Sequence, residues 1–402
     1  MDRLDNPVRR YAWGSDRDLP EFLGVPSDGG PQAELWMGAH PGDSSRVVRD
    51  GTTRTLEAVI AADPDGELGP EVARAYGGRL PFLFKVLAAA RPLSLQVHPD
   101  KAQAEAAFAA ENRSGATERD YCDDNHKPEL ISALRDGFQA MCGFRPVTRT
   151  IALLEELAVP ELAAWPALLA GQPAQEALRK LVTAILTGPE DHSATIAAVA
   201  SAGRRVAAEG GPWAAAGAAY VVVAEAYPGD AGVLVTLLMN HAVLAEGQAL
   251  FVGAGVPHCY LSGLGAELMA SSDNVLRAGL TSKRVNVPEL LQVLDFEPDG
   301  LHVLTPHQHG AEEVYPVPVP DFRLARLRLG TDRVRLPESR PQIVLCIAGT
   351  VTLRDADRAE LALTRGQSAF VAADSTGVTM TGPGTALRAT VGGGSPGQVE
   401  PA

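Results

Sequence analysis

Between Pro81 and His98 the chain falls into two short patterned runs. Pro81-Phe82-Leu83-Phe84-Lys85-Val86-Leu87 is apolar apart from one lysine, Arg91-Pro92 interrupts, and Leu93-Ser94-Leu95-Gln96-Val97-His98 then alternates strictly. Period-two alternation predicts strand, turn, strand, with Leu93, Leu95 and Val97 on one face of the second strand and Ser94, Gln96 and His98 on the other. From about Val147 to Gly232 the texture changes. Ala, Leu and Glu dominate, as in Arg149-Thr150-Ile151-Ala152-Leu153-Leu154-Glu155-Glu156-Leu157, with prolines and glycines at intervals. This predicts a cluster of helices with short connections. It offers only His192 and His241, at its borders, as possible ligands.

Strand texture returns near Val233, and with it a short internal repeat. Gly247-Gln248-Ala249-Leu250-Phe251-Val252-Gly253-Ala254 is similar to Gly366-Gln367-Ser368-Ala369-Phe370-Val371-Ala372-Ala373. Two copies of one β-sandwich module are the simplest reading. No histidine follows His309, so only the first copy can build a histidine-based metal site.

Composition narrows the partners. With 402 residues the chain exceeds one hydrophobic core. A net charge of −14 argues against nucleic acid or an anionic membrane, either of which needs a basic surface. An anionic small substrate stays open if basic residues converge locally. The first ten residues are charged where a signal peptide needs an apolar run, and the apolar stretch from Trp213 to Ala224 is too short to span a membrane. Cys122, Cys142, Cys259 and Cys346 form no C-x-x-C pair and read as free thiols of a reducing cytoplasm. The tail beyond Gly392 reads as flexible.

Three neighbourhoods carry candidate chemistry. The first is Gln96-Val97-His98-Pro99-Asp100-Lys101. A strand face of Ser, Gln and His is either a solvated sheet surface or, if buried, a face whose polar groups need partners. In the second, Tyr121-Cys122-Asp123-Asp124-Asn125-His126-Lys127-Pro128-Glu129, Pro128 forces Lys127 toward extended geometry. Lys127 and Glu129 then share one face, and His126 and Pro128 the other. An exposed charged turn is the competing reading. The third is Gly247-x5-Gly253-x-Gly255-x2-His258, which resembles the second motif of cupin β-barrels, where a glycine-rich turn delivers a histidine into the barrel mouth. Gly253 stands where that motif usually has proline, and a core histidine in a tight turn is the alternative. Together His98, His258, Glu129 and possible fourth ligand Gln96 form a mixed nitrogen and oxygen set suited to Zn²⁺ with an open position. His192, His302, His307 and His309 sit in polar contexts and read as solvated.

The same segments carry long signatures. Tyr121-x-Asp123-x-Asn125-His126-Lys127-Pro128-Glu129 resembles, at every fixed position, a signature of the type I mannose-6-phosphate isomerases. His258-Cys259-Tyr260-Leu261-x-Gly263-x-x-x-Glu267-x-Met269-Ala270-x-Ser272-Asp273-Asn274-x-Leu276-Arg277-Ala278-Gly279-x-Thr281-Ser282-Lys283 resembles the second. Cys259 and Ser282 replace a usual Ala and Pro. Tyr11-Ala12-Trp13-Gly14-Ser15 and Glu34-Leu35-Trp36-Met37-Gly38 are similar to the family's opening segments. The resemblance covers most of residues 1–145 and 233–297.

It implies a mainly β fold with a helical insertion: two cupin-like jelly-roll β-sandwich domains and an α-helical domain. Residues 1–146 with 233–300 would form the catalytic zinc domain, 147–232 the insertion, 301–392 a second, metal-free cupin-like domain, and 393–402 a tail. It also implies one zinc per chain on Gln96, His98, Glu129 and His258. Ser94 and Lys283 would hold a phosphate, and Lys85, His126, Lys127, Glu267, Asp273 and Arg277 would line the catalytic pocket. A cytoplasmic monomer or weak homo-oligomer acting on a sugar phosphate is the expected state.

Elementary chemistry agrees. Aldose–ketose isomerisation through a cis-enediol needs a base near C2 and an electrophile for the developing oxyanion, without a redox cofactor. Lys85, in an apolar strand, is expected to have a lowered pKa through desolvation. Lys85, Lys127, Arg277, Lys283 and Arg284 would supply the local basic cluster. The base stays open between a zinc-bound water, Lys127, His126 and Glu267. Two rivals remain: a non-haem Fe(II) oxygenase using His98, Glu129 and His258, and a sugar-binding cupin whose metal is structural.

Overall fold

A computed structural model describes residues 1–115, 117–188 and 191–393. It is a mainly β protein, with two sheet-built modules and a helical region between Val147 and Thr236. The expected tail lies, apart from Gly393, outside the described residues.

Each module is organised around one 13-residue strand. In the first, His258–Ala270 pairs through its C-terminal half with Phe82–Ala89 and Glu129–Ala133. Its N-terminal half pairs with Phe138–Phe144 and, at His258, with Gln96 of the strand Leu95–Val97. In the second, Gln342–Arg354 pairs with Ser368–Val371, Gly384–Thr390 and Glu360–Thr364. The internal repeat falls at matching places. Gly247 and Gly366 both turn at positive φ, 79° and 84°, where glycine has no Cβ to clash. The Gln248 side chain accepts from Ala245 N–H at 2.8 Å, and that of Gln367 from Thr364 N–H at 3.0 Å. Strands Ala249–Val252 and Ser368–Val371 follow.

The modules share a core. Phe84, Val86, Leu130, Leu264, Ala266 and Leu268 of the first pack with Leu324, Ile343, Leu345, Phe370, Leu387 and Ala389 of the second. The N-terminus crosses over: Asp2–Arg3 extends the second sheet, with Asp2 opposite Phe370.

The helices cover the first module's outer face. Leu153, Leu178, Leu181, Val199 and Tyr220 lie in one cluster with Leu95, Val97, Cys259, Leu261 and Leu276. The strand Leu95–Val97 therefore buries its leucine and valine against helices and turns Gln96 inward, as its alternation predicts; Leu93, which precedes the strand, departs from the expected face and packs in the interior cluster with Ile131, Phe138 and Tyr260.

A register shift between Tyr260 and Ser262 shapes the interior. Because side chains alternate with period two, one bulged residue reverses the facing of everything beyond it. Before the bulge Cys259 and Leu261 face the helices and Tyr260 faces inward; after it Leu264, Ala266 and Leu268 enter the shared core. His258 and Glu267, of opposite parity in sequence, thus reach the same interior.

Candidate active site

Three segments converge at the first module's interior. His98 follows Leu95–Val97, Glu129 opens the strand Glu129–Ala133, and His258 opens the long central strand; all three are buried. The glycine-rich turn before His258 is tied in place by Gly255, whose N–H donates to His98 O at 2.9 Å. Gly255 has φ +76°, and a Cβ there would meet Val293 O at 3.0 Å, so a side chain is excluded sterically and conformationally.

The two imidazoles are oriented through their Nδ1 atoms. His98 Nδ1–H donates to Asn274 O at 2.8 Å, and His258 Nδ1–H to Val256 O at 3.1 Å. Each Nε2 is then the lone-pair nitrogen. His98 Nε2 and His258 Nε2 each lie 3.3 Å from an oxygen of Glu129, and the ring centroids are 5.0 Å apart. Two lone pairs facing one carboxylate repel unless a cation sits between them. His98 Nε2 is buried with no hydrogen-bond partner among the described residues. Burial and the nearby Lys127 ammonium push His98 down to about 4, which keeps it neutral and able to ligate. Burial opposes ionisation of Glu129, but the Lys127 ammonium holds it well below the usual carboxylate range. One ligand atom from each of the three residues lies within 4.8 Å of the others. The donor set fits a divalent ion such as zinc.

Beyond the cluster, charge is dense and paired. Lys127 Nζ is 2.9 Å from Glu129. Lys85 Nζ is 3.1 Å from Glu267 and 3.8 Å from Glu34, and 5.3 Å from the Trp36 ring. Glu34, Glu129 and Glu267 are buried against two buried ammonium groups, Lys85 and Lys127, so this interior has one negative charge left over, which also favours a cation. The expectation that Lys85 has a lowered pKa is overturned. Burial alone lowers it, but Glu267, Glu34 and Glu129 together outweigh burial and raise it. Burial raises the Glu267 carboxyl, Lys85 pulls it back, and Glu129 and Glu34 tip the balance upward.

The remaining predicted residues divide. Gln96 is in register with both His258 and Arg277, which puts its amide on the face of the histidines. Arg277 is half-buried, with no hydrogen bond or ion pair among the described residues. Gly279 pairs with Leu95, so Ser94 and the turn holding the exposed Lys283 leave the strand pair at the same end. Arg284 does not join the basic cluster, being ion-paired with Asp120 at 2.7 Å. His126 turns away from Lys127 and Glu129, as alternation requires, and meets Asp321 of the second module at 3.1 Å.

Asp273 is exposed and lies 3.5 Å from His40 Nε2, a residue that the sequence reading passed over. His40 is buried, accepts Gly42 N–H on Nδ1 at 3.1 Å and stands edge-on to Trp36. Its one sequence signal is its closeness to Glu34-Leu35-Trp36-Met37-Gly38. His302, His307 and His309 are exposed as expected, whereas His192 Nε2 is buried without a hydrogen-bond partner among the described residues. All four cysteines are free, and only Cys122 is exposed. No helix among the described residues is long and apolar enough to cross a membrane.

Fold and site together define an enzyme of the cupin-like β class with a buried His–Glu–His metal site. The family model for the phosphomannose isomerase type I catalytic domain matches residues 1–147. Mannose-6-phosphate isomerase of Escherichia coli (strain K12) is 41% identical over 399 residues, 96% of this chain and 99% of that protein. The Homo sapiens protein is 33% identical over 389 residues, 87% of each. A crystal structure of a His-to-Ala mutant of phosphomannose isomerase from Salmonella typhimurium matches with a TM-score of 0.90 at 39% identity, over 98% of this chain and 99% of that one. One of mannose 6-phosphate isomerase bound with zinc and yttrium gives 0.88 at 39% identity, with the same coverage. The chain belongs to the type I phosphomannose isomerases.

Proposed function

We propose that this enzyme interconverts mannose 6-phosphate and fructose 6-phosphate by proton transfer between C2 and C1 through a cis-enediol. Its resident metal is one zinc per chain, held by His98, Glu129, His258 and Gln96. The observation that carries the reading is the His98–Glu129–His258 cluster, buried beside the paired Lys85, Glu267 and Lys127, in a chain aligned nearly end to end with mannose-6-phosphate isomerases. In this reading residues 1–146 with 233–300 form the catalytic unit, 147–232 an insertion over its outer face, and 301–392 a metal-free unit.

Bound zinc would supply Lewis-acid polarisation of a substrate oxygen or organise a water. The protein supplies the rest. Lys85, held charged by three carboxylates, can donate a hydrogen bond to a sugar oxygen. Glu267, raised from its ordinary value by burial and by Glu129 and Glu34, is the side chain best suited to take the C2 proton. Lys127 is occupied as an ammonium against Glu129, and His126 faces Asp321. Arg277, a fixed charge without an acidic partner, can stabilise the enediolate. Asp273 with His40 lines the opening, and Ser94 with Lys283 holds the phosphate. An oxygenase reading leaves Lys85, Glu267 and Arg277 without a task, and so does a structural metal in a binding protein.

The test is an anaerobic assay coupled to detection of fructose 6-phosphate. Turnover of mannose 6-phosphate without oxygen is expected. Oxygen-dependent loss of substrate, or binding without conversion, would refute the isomerase.

A further inference from the structure

The segment carrying Lys127 and Glu129 is gripped from behind by the second module. Its residues alternate, with Glu129 in the site, Ile131 in the interior cluster of the first module and Leu130 in the core shared with the second. Two polar contacts flank Leu130. His126 Nε2 lies 3.1 Å from Asp321 Oδ1 at one end. At the other, Ser132 Oγ is 2.8 Å from the Tyr315 hydroxyl, which donates onward to Gly247 O at 2.9 Å. Asp321 and Tyr315 come from one stretch, Tyr315-Pro316-Val317-Pro318-Val319-Pro320-Asp321-Phe322, in which three alternate prolines fix φ and stiffen the backbone. Tyr315 and Phe322 anchor it, both almost wholly buried.

Asp321 is an expensive residue for mere cohesion. It is buried, and its Oδ2 has no hydrogen-bond partner among the described residues. A buried carboxylate with one oxygen unsatisfied costs free energy that an apolar contact would avoid, and the large shared core already holds the modules together. What the pair adds is direction: it fixes one end of an extended segment whose opposite face carries Lys127 and Glu129.

We propose that the metal-free module braces the catalytic strand, with Asp321 as a positioning residue that acts through His126 to fix where Lys127 and Glu129 stand. This rests on the isomerase reading. It gives His126 a positioning role and accounts for a second module that lacks metal-binding histidines.

The test is a double-mutant cycle on the full, zinc-loaded chain. Misplacement of catalytic groups by a fraction of an ångström is costly, so Asp321→Ala should lower kcat by about 10-fold, with KM for mannose 6-phosphate within about two-fold. It should also lose zinc more readily to a competing chelator, a readout that needs no turnover. Asp321→Asn, whose amide oxygen still accepts the His126 Nε2–H, should stay within about two-fold of wild type. His126→Ala should reproduce the loss, and the double variant should be no worse than either single.

Wild-type kcat per bound zinc in Asp321→Ala, or losses that multiply in the double variant, would overturn the brace. If Asp321→Ala does not fold, Asp321→Asn and His126→Ala carry the same comparison, and a wild-type His126→Ala overturns it equally. Absence of turnover in the wild-type protein would instead refute the isomerase reading, and the chelator comparison would still decide the brace.

Discussion

Lys85 and Glu267 stand directly opposite each other on neighbouring antiparallel strands, and their side chains meet at 3.1 Å where both are buried. Removing one partner of such a pair leaves an uncompensated buried charge. Here Glu34 and Glu129 add to it. Lys85→Met should therefore lower unfolding free energy by roughly 3–5 kcal/mol as well as abolish most turnover. Urea unfolding of the metal-loaded variant measures it, and unchanged stability would show that the pair is not buried in the folded protein.

Arg277 is a half-buried cation with no ion pair among the described residues, and burial lowers its pKa while the guanidinium stays charged. If it acts on charge that develops only in the transition state, Arg277→Ala should lower kcat by roughly 10²–10³. Zinc content should stay near that of wild type. A normal kcat with a raised KM would make Arg277 a ground-state binding residue instead.

The phosphate does not react, yet its binding can position C1 and C2. Free mannose should be a far poorer substrate than mannose 6-phosphate, in kcat/KM and in kcat. Lys283→Ala should erase most of that preference, since it removes a charge that distinguishes the two sugars. Measuring kcat/KM for both sugars on both proteins checks this; an unchanged ratio removes Lys283 from the site.

Acid stability has a separate source at His241. Burial, aided by Arg145, pushes this imidazole down to about 4 from 6.5. Below pH 6.5 the unfolded chain takes up a proton that the folded one refuses, so this contribution to stability is complete above 6.5 and lost as pH falls toward about 4. The urea midpoint should drop between pH 7 and pH 5, and His241→Gln should drop less. An identical acid response in the variant would assign the loss to other groups.

Much of the site was legible along the chain, for a geometric reason. Where a segment is extended, parity alone decides facing, and the inward turn of Gln96 between Leu95 and Val97 and the opposition of His126 to Lys127 and Glu129 follow from it. The glycine repeat was legible because both copies need the same positive-φ turn. What escaped depended on contacts between distant segments. The bulge between Tyr260 and Ser262, which brings Glu267 round to the side of His258, is marked along the chain only by Gly263, at φ +121°. Lys85 looked like a desolvated lysine because its three carboxylates arrive from other strands. His40 went unread because its acidic partner Asp273 arrives from a distant segment, and Arg284 looked free because Asp120 lies far away in sequence.

The central claim is that one metal on His98, Glu129 and His258 makes this chain an isomerase, and metal titration tests it most directly. Zinc is measured in the purified protein, stripped with a chelator and returned stepwise while mannose 6-phosphate turnover is followed. Turnover should vanish on stripping and return in proportion to zinc, saturating at about one ion per chain. His98→Ala and His258→Ala should bind little zinc and recover little activity. Full turnover by the stripped protein, or stoichiometric zinc in a variant lacking both histidines, would contradict the account.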